Sequence, residues 1–447
     1  MEIRDPVHGT IILSDSEVHV IDSPEFQRLR SIKQLGFSEF SFPAATHNRY
    51  LHSIGVCHLA GRAFDLIFNS AVQGNVYNFS FSSEKVKSRL RQCFRLAALL
   101  HDVGHGPLSH VTEEVMPPLK ELNVQVYAHR SQAIYQLGLA EKNNRKANHE
   151  DYTIKYITDS PLTEVLKQQF PDIEPRHIVC LIDKTIASPD DFFIDQGIDF
   201  RPILSQLVSS ELDVDRMDYL ERDSYFCGTN YGNIDVEWLL SNLKAHPVNN
   251  QIYLALNRRA LYTFDDFLLS RHHMNLMVYF HHKGIIYEEM LIRYLESEDC
   301  DFRLPANINE YTHYNDYHLF EHIAHVKNNP WAKRIARRSP YRNLIELHNV
   351  SDVQRPQRIQ QFLESENVEC ILASSRVRLS KYHTSSPEDK ALPIYVVDQY
   401  DRWEKPVPIE QSTKIFKAYE DVRVIDRVYV APENYDRALE LLAKLQF

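Results

Sequence analysis

Residues 96–110 read LAALLHDVGHGPLSH, an apolar run that passes directly into imidazole and carboxylate side chains. The apolar run predicts a buried helix from about Lys87 to Asp102, which the two following glycines end. His101 and Asp102 therefore lie at a helix end, where adjacent side chains can share a ligand although they point about 100° apart. For this dipeptide alone, a capping aspartate beside a buried histidine is the alternative interpretation.

The composition favours a mainly helical protein. Only 12 of 447 residues are glycine, whereas all-β folds need many tight turns. The net charge of −11 argues against a general duplex-binding face, although a local phosphate pocket or a single-strand groove stays open. Six scattered cysteines without a CxxC pair, a charged start and no long apolar run predict a cytoplasmic protein without a membrane span.

Periodicity divides the chain into a helical part and a mixed part. Ser23 followed by proline is typical of a helix start, and another helix begins near Leu51. The polar stretch 296–317 marks a boundary between an all-helical core, residues 1–295, and a smaller α/β domain, residues 296–447. Further helices are predicted at 149–158, 174–184, 200–226, 258–295 and 433–446, and strands at 369–372, 393–397 and 422–430.

Two other motifs supply the remaining donors of a metal site. His52 lies in HNRYLHS, and Asp215 lies in LDVDRMDYLERD. With His101 and Asp102 they provide two imidazoles and two carboxylates, which suit a divalent ion of Mn, Fe or Zn, with Mg as a further candidate. Because four such donors leave positions open for water and substrate, the sequence predicts a catalytic rather than a structural metal site.

Arginines near these donors are candidates for phosphate binding. Two carboxylates roughly neutralise a divalent ion, so the site tolerates an anionic substrate. A guanidinium fork binds phosphate oxygens in pairs, and we expect this of Arg49, Arg216 and Arg271. The alternative for each arginine alone is an ordinary surface or ion-pair role.

The motif LDVDRMDYLERD also predicts a helix with two distinct faces. Asp215, Tyr219 and Asp223 recur at every fourth position and share one face. Asp218 and Arg222 form a separate pair four residues apart, which we interpret as structural.

The order of these motifs resembles the HD-domain phosphohydrolase superfamily. More narrowly, HNRYLHSIG, HDVGHGPLSH and DVDRMDYLERD resemble motifs of the deoxynucleoside triphosphate triphosphohydrolases, a family with bacterial members and a mammalian member that carries a sterile-alpha-motif domain. The likeness begins at Asp5-Pro6-Val7-His8-Gly9 and reaches about residue 295. It implies a helical HD-domain core and metal-assisted attack of water on the α-phosphorus, giving a deoxynucleoside and tripolyphosphate.

The resemblance also implies roles for single residues. Those that fall on the family's metal ligands are the four donors named above. Those that fall on phosphate contacts are Arg49, His105, Arg216 and Arg271. Those that fall on nucleoside contacts are Gln34 and Asp223 at the sugar 3′-hydroxyl, Leu35 and Tyr219 along base and sugar, and Tyr279 against C2′.

Proton transfer is implied for one histidine. His110 falls on the family's catalytic histidine, and His149-Glu150 on a supporting pair, although the segment before His149 is longer than in the family pattern. Histidine suits proton transfer near neutral pH, so His110 would protonate the leaving oxygen. The alternative for His105 and His110 is that they orient the metal ligands.

Regulation by a nucleotide is a further implication. The family often forms tetramers with a guanine nucleotide between subunits, which implies a homo-oligomer, dimer or tetramer. The residues that fall on nucleotide-contact positions are Asp22, Arg30 and His281. Met1-Glu2, Trp238 and Met277 stand where the family pattern has basic residues. Fewer cations weaken polyphosphate binding, so we expect activation to be altered or absent while the oligomer persists.

Two classes of function stay open. The first is a phosphohydrolase that acts on deoxynucleoside triphosphates or, as a variant, on another nucleotide or a phosphodiester. The second is a regulatory or nucleic-acid-binding module without turnover. The four intact metal donors favour the enzyme, and the acidic net charge disfavours a mainly nucleic-acid role.

Overall fold

The computed structural model describes residues 1–68, 79–130, 145–349, 352, 354–379, 392–401, 403–419 and 422–444. Helices dominate these ranges and confirm the mainly α class. None of the helices in them combines the length and apolar composition needed to cross a bilayer. In chain order the α-helices are α1 Asp15–Ile21, α2 Pro24–Gln27, α3 Arg49–Phe68, α4 Glu84–Leu100, α5 Leu119–Leu122, α6 His149–Thr158, α7 Pro161–Gln169, α8 Pro175–Ile182, α9 Arg201–Val208, α10 Val214–Cys227, α11 Val236–Asn242, α12 Leu261–Met274, α13 His282–Leu295, α14 Ile308–Tyr311, α15 Asp316–His325, α16 Pro330–Ala336, α17 Arg355–Ser365, α18 Ile409–Ser412, α19 Ile415–Ala418 and α20 Tyr435–Lys444.

The strands of the described ranges form a hairpin and two larger sheets. The strands are β1 Glu2–Asp5, β2 Gly9–Ile12, β3 Ile194–Asp195, β4 Ile198–Asp199, β5 Leu243–Val248, β6 Gln251–Asn257, β7 Arg342–His348, β8 Cys370–Val377, β9 Tyr395–Val397, β10 Val407–Pro408 and β11 Arg423–Val430. Strands β1 and β2 form the hairpin. One sheet has the order β10-β9-β6-β4-β3 with β5 also paired to β6, and the other is antiparallel with the order β7-β11-β8.

The C-terminal half of helix α4 is buried in the main core, and the helix packs against α3. It begins after Ser83, whose side chain caps it by accepting the backbone N–H of Val86. Every side chain from Leu96 to Leu100 is fully buried, as the apolar run predicted. The helix ends at Leu100, two residues before the predicted end.

Gly104 allows a close contact just beyond α4. A Cβ atom at this position would lie 2.2 Å from both His149 O and Thr153 N, in the first turns of α6. No side chain fits there, so glycine lets α6 lie directly against the turn that follows Asp102.

Two long predicted helices are each interrupted. The predicted helix 200–226 is α9 followed by α10, because Asp213 accepts backbone N–H groups from Ser210 and Arg216 and so caps a new helix. The predicted helix 258–295 contains a π-helical turn, Asn275–Tyr279, between α12 and α13. The predictions of one continuous helix were wrong at both places.

A hairpin inside the main core was not predicted. Strands β5 and β6 pair antiparallel around Asn249 and Asn250, which have left-handed φ angles of 49° and 62°. Two consecutive left-handed residues are typical of a two-residue hairpin turn, and asparagine tolerates that conformation. The core is therefore mainly, but not entirely, helical.

The C-terminal region forms a small core of its own and also contributes strands and helices to the main body. Strands β7, β11 and β8 pack against α17 and α20 around a separate small core, which includes Leu347, Ile359, Leu363 and Val428. The predicted strand 393–397 corresponds to β9, which pairs with β6 of the main body instead. Tyr311 and Leu319, in α14 and α15, also belong to the main core. The division at residue 296 stays a prediction.

We predict that Gly104→Ala destabilises the protein, whereas Gly284→Ala does not. The added methyl group at Gly104 would meet backbone atoms that cannot rotate away, at a cost of about 1–3 kcal/mol. At Gly284 in α13, an added methyl group would meet no described atom within 4 Å apart from those of the adjacent residues and of the helix's own backbone, so alanine there should be neutral or stabilise by up to about 1 kcal/mol. Urea denaturation compares the two variants, and equal free energies of unfolding would contradict the close contact.

Candidate metal centre

Three donor side chains from separate helices converge. His52 lies in the first turn of α3, His101 directly follows α4, and Asp215 lies in the first turn of α10. One donor atom from each lies within 4.8 Å of the other two. His52 Nε2 is 3.0 Å and His101 Nε2 is 3.5 Å from Asp215 Oδ1. The three helices thus present two imidazoles and a carboxylate to one point.

Asp102 lies beside this point and also contacts two other side chains. Its Oδ2 is 3.6 Å from His52 Nε2, and its Oδ1 is 3.4 Å from His101 Nε2. Arg49 donates to Oδ2, and His105 Nε2 is 3.3 Å from Oδ1. The structure therefore brings the four predicted donors together, and their role as ligands stays a prediction.

The chemistry of these donors fits a divalent cation. His101 Nδ1–H donates to the Ala98 carbonyl at 2.8 Å, which leaves the lone pair on Nε2 facing the other donors. Within the described part of the chain, His101 Nε2 is buried and has no hydrogen-bond partner. A buried nitrogen without a partner is costly unless a ligand satisfies it. Imidazole nitrogen with carboxylate oxygen suits Mn, Fe or Zn.

Asp218 fixes the orientation of the His52 ring by binding Nδ1, the nitrogen that does not face the other donors. His52 Nδ1–H donates to Asp218 Oδ2 at 2.7 Å, and the other carboxylate oxygen lies 2.6 Å from His8 Nε2. Arg222 contacts both oxygens at 2.9 Å and also reaches Asp5. Asp218 fixes the tautomer of His52 and thereby directs Nε2 to the metal position. From the sequence, Asp218 and Arg222 are predicted to form a structural pair, and no role is predicted for His8.

Opposite charges govern the protonation of these donors. Burial lowers the pKa of His52, but hydrogen bonds to Asp215 and Asp218 outweigh burial and raise the pKa to about 10. Burial raises the pKa of Asp102, yet the charge of His101 and a nearby arginine hold it well below its usual range. Burial also raises the pKa of Asp215, but the close contacts with His101 and His52 outweigh burial and lower it. Both carboxylates are ionised and suited to receive a cation.

A second group, the histidine triad of His105, His110 and His149, lies next to these donors. The rings of His105 and His149 stack at 3.9 Å, and His110 lies 4.9–5.0 Å from both. Glu113 Oε1 accepts from His149 Nδ1 at 2.5 Å and from His110 Nδ1 at 3.1 Å. Burial raises the pKa of Glu113, but these two hydrogen bonds outweigh it and lower the pKa to about 2.

The supporting carboxylate of the triad differs from the predicted one. Glu150 is exposed at the first turn of α6, and no hydrogen bond in the described ranges joins it to the triad. Glu113 occupies that place instead. The sequence signal for it was the spacing of three residues from His110, which puts both side chains on one face of the helical turn Ser109–Val115.

The three predicted phosphate-binding arginines each contact an acidic side chain. Arg49 pairs with Asp102 and also donates to Ser109 Oγ at 2.9 Å. The other two pairs are Arg216 with Asp213, and Arg271 with Glu211 at 3.0 Å. Arg271 additionally donates to the carbonyl of Leu379. Their guanidinium groups are thus held in place, and a substrate phosphate would share or replace these partners.

Among the predicted nucleoside contacts, Tyr279 touches both Asp223 and Tyr219. Tyr279 Oη donates to Asp223 Oδ2 at 2.8 Å, and His47 Nε2 lies 2.8 Å from the other oxygen. Gln34 Oε1 is buried and has no hydrogen-bond partner in the described ranges. The rings of Tyr219 and Tyr279 meet edge to face at 6.4 Å, and Leu35 packs against the main core.

The residues on predicted nucleotide-activator positions lie at two places. The guanidinium of Arg30 stacks on the Tyr50 ring at 3.5 Å, and Asp22 is the exposed C-cap of α1. His281 caps α13 and lies 2.9 Å from Ser41 Oγ. No hydrogen bond or ring contact of the described residues joins His281 to the other two.

Comparisons with known proteins agree with the motif order. The family model described as HD domain matches residues 49–223, and that described as HD associated region matches residues 234–374. A hypothetical protein from Aquifex aeolicus has a similar crystal structure, with a TM-score of 0.72, 24% identity and coverage of 99% of each chain. At that identity the likeness shows the fold alone.

Curated relatives include both uncharacterized and named proteins. YwfO of Bacillus subtilis, an uncharacterized protein, is 32% identical over 280 residues, which are 62% of this chain and 51% of that protein. An uncharacterized protein of Mycoplasma genitalium is 31% identical, covering 62% and 55%. The human deoxynucleoside triphosphate triphosphohydrolase SAMHD1 is 26% identical over 369 residues, covering 77% and 54%. The matches therefore span about half the length of these relatives.

We predict that Asp218→Asn weakens metal binding by about tenfold to a hundredfold, which is typical for partners of metal-bound histidines. Asparagine offers one acceptor oxygen where the carboxylate serves His52, His8 and Arg222. Elemental analysis after dialysis against graded chelator measures the loss. Asp65→Asn, which breaks an exposed pair with Arg91, is the control and should retain metal. Equal retention in both variants would contradict the role of Asp218.

Proposed function

The chain carries an HD domain followed by an HD-associated region, and on this premise we propose that it is a metal-dependent hydrolase of deoxynucleoside triphosphates. The products we infer are a deoxynucleoside and tripolyphosphate. The observation that carries this proposal is the convergence of two imidazoles and two carboxylates next to the histidine triad. The human relative, a deoxynucleoside triphosphate triphosphohydrolase, supports the choice of substrate.

The metal would be held by His52, His101, Asp102 and Asp215. When bound, a divalent ion of Mn, Fe, Zn or Mg would polarise the α-phosphate and activate a water molecule. Asp218 orients the His52 ring so that Nε2 faces the metal position, where an ion would displace its proton, and the Ala98 carbonyl orients His101 in the same way. These side chains are positioned before any substrate binds, so little reorganisation is needed.

The arginines would bind the triphosphate. Arg49 and Arg271 are buried, and Arg216 is partly buried, so their charges are poorly screened by water. Each guanidinium has five N–H donors and can bind a phosphate oxygen while keeping part of its present contacts. Three fixed cations offset the charge that develops on the phosphoryl oxygens as water attacks.

His110 would donate a proton to O5′, the leaving oxygen of the deoxynucleoside. Its side chain is 67% exposed, and Glu113 accepts the Nδ1 hydrogen, which leaves Nε2 facing away from Glu113. As water forms a bond to the α-phosphorus, the bond to O5′ breaks, and His110 donates a proton to O5′. The deoxynucleoside leaves with that proton, and the water oxygen with one of its hydrogens becomes part of tripolyphosphate. The other hydrogen of the water leaves as a proton, which balances the reprotonation of His110.

The sugar would contact a polar surface formed by Asp223, Tyr279 and His47, which are bonded to one another. Asp223 is held by both Tyr279 and His47, so its remaining acceptor capacity has a fixed direction for a sugar hydroxyl. The unpartnered Gln34 Oε1 offers a second acceptor. We propose that the Tyr279 ring crowds C2′ and disfavours a ribose hydroxyl.

Assembly, regulation and location extend this proposal. We propose a cytoplasmic homo-oligomer, dimer or tetramer, in which a nucleotide-activator site at Asp22, Arg30 and His281 is weakened. Arg30 already stacks on Tyr50 and donates to Gln27, so a nucleotide would have to compete for it. A single-strand nucleic-acid groove stays an alternative role.

We predict that the purified protein with Mn²⁺ releases tripolyphosphate from deoxynucleoside triphosphates without added GTP. Ion chromatography of the products from a panel of nucleotides measures this. Asp215→Ala, which removes a donor shared by both imidazoles, should abolish release and excludes a contaminating phosphatase. Orthophosphate or pyrophosphate as the product would favour another phosphohydrolase activity. Tight oligonucleotide binding without turnover would favour a binding module.

We predict that Glu113→Gln lowers kcat by at least about tenfold, because the amide no longer accepts well from both His110 and His149. The KM should change little, because the hydrogen bonds of Glu113 among the described residues go to the triad. None goes to the arginines or to the residues proposed to contact the sugar. Glu114→Gln is the matched control: its side chain is half exposed and pairs only with Lys146 among the described ion pairs. If both variants keep the wild-type kcat, the triad does not transfer the proton.

A further inference from the structure

The loop that carries two triad histidines has an unusual backbone. In the described chain Leu108 and Ser109 are consecutive non-glycine residues with positive φ angles, 52° and 59°. Side chains with a Cβ rarely adopt this region, and such strained residues persist only when the surrounding structure holds them. The loop from Val103 to His110 therefore needs external contacts to keep its shape.

Asp316 supplies one such contact and links the loop to a second segment. Its Oδ1 accepts the backbone N–H of Leu108 at 2.7 Å, and its Oδ2 accepts the backbone N–H of Lys33 at 2.9 Å. Asp316 is 3% exposed and takes part in no ion pair of the described residues. A buried carboxylate without a salt bridge is unfavourable unless such charge-assisted hydrogen bonds satisfy it.

The same part of the chain also holds the start of the loop. Tyr311 Oη donates to the Gly104 carbonyl at 2.9 Å. Arg28 donates to the carbonyls of Val103 and Tyr314, at 2.9 and 3.0 Å. Two direct contacts, from Tyr311 to Gly104 and from Asp316 to Leu108, and a third through Arg28, which joins Tyr314 to Val103, thus hold the loop.

The two segments that Asp316 joins carry residues of different predicted roles. Lys33 directly precedes Gln34 and Leu35, on the nucleoside side, whereas Leu108 lies two residues before His110, on the proton-transfer side. Asp316 itself lies outside the HD domain match, in the HD-associated region. One side chain of the associated region therefore fixes the spacing between two parts of the site.

We propose that Asp316 is a positioning residue. By binding the backbone amides of Lys33 and Leu108, it fixes the position of the nucleoside-binding segment relative to the histidine-bearing loop. The inference rests on the proposed function for its kinetic consequence. Its structural consequence, the left-handed conformation of Leu108 and Ser109, is independent of any substrate.

The test compares Asp316→Ala, Asp316→Asn and Tyr317→Ala in the full chain. Alanine removes both acceptors, and asparagine keeps the volume and one acceptor oxygen. Tyr317→Ala alters the next residue of α15, whose side chain is 73% exposed, and serves as the control. Metal content should stay at the wild-type level in all three, because Asp316 does not contact the four donors.

We expect Asp316→Ala to lower kcat/KM by at least tenfold and Asp316→Asn to have an intermediate effect, while Tyr317→Ala is unchanged. Crystal structures or histidine ring NMR spectra should show displaced His105 and His110 in the alanine variant, with His348 as the remote reference. If Asp316→Ala does not fold, Tyr311→Phe, which removes a single hydroxyl, should show the same displacement and a smaller kinetic loss.

Two outcomes separate this inference from the proposed function. Wild-type kinetics and an undisturbed loop in Asp316→Ala, or in Asp316→Asn where the alanine variant fails to fold, would overturn the positioning role. Absence of hydrolysis by the wild-type protein would instead refute the proposed function, and the loop conformation would still decide the role of Asp316.

Discussion

The site depends on how the chain turns immediately after α4. Because the helix ends at Leu100, His101 and Asp102 can both face the donors of α3 and α10. The turn requires Gly104, where backbone atoms of α6 leave no room for a side chain. The same contact places His149 on His105. One backbone contact thus links the metal donors to the histidine triad.

A buried charge network supports the donors from the opposite side. Asp5, Arg222 and Asp218 are almost fully buried and bonded to one another, and Asp218 passes this fixed geometry to His52. Removing one partner of such a network leaves an uncompensated charge, which costs about 3–5 kcal/mol. Stability and the direction of His52 Nε2 therefore depend on the same residues.

Sequence reasoning found what local patterns encode and missed what distant contacts decide. His101 and Asp102 stand out because they directly follow the apolar run of α4, and His52 and Asp215 stand out through the motifs HNRYLHS and LDVDRMDYLERD. Helices α4 and α6 also follow from local sequence patterns. The role of Asp218 depends on His52, 166 positions away, and no local pattern shows that pairing. The family resemblance implied a supporting role for the pair His149-Glu150. Adjacent helical side chains diverge by about 100°, and in the structure it is Glu113 that accepts from His149.

The most direct test of this account is the location of a bound metal. An anomalous diffraction map of crystals grown with Mn²⁺, combined with elemental analysis, would show it. We predict one ion per chain, contacted by His52, His101, Asp102 and Asp215. No ion at that point, or an ion held only by the histidine triad, would contradict the account.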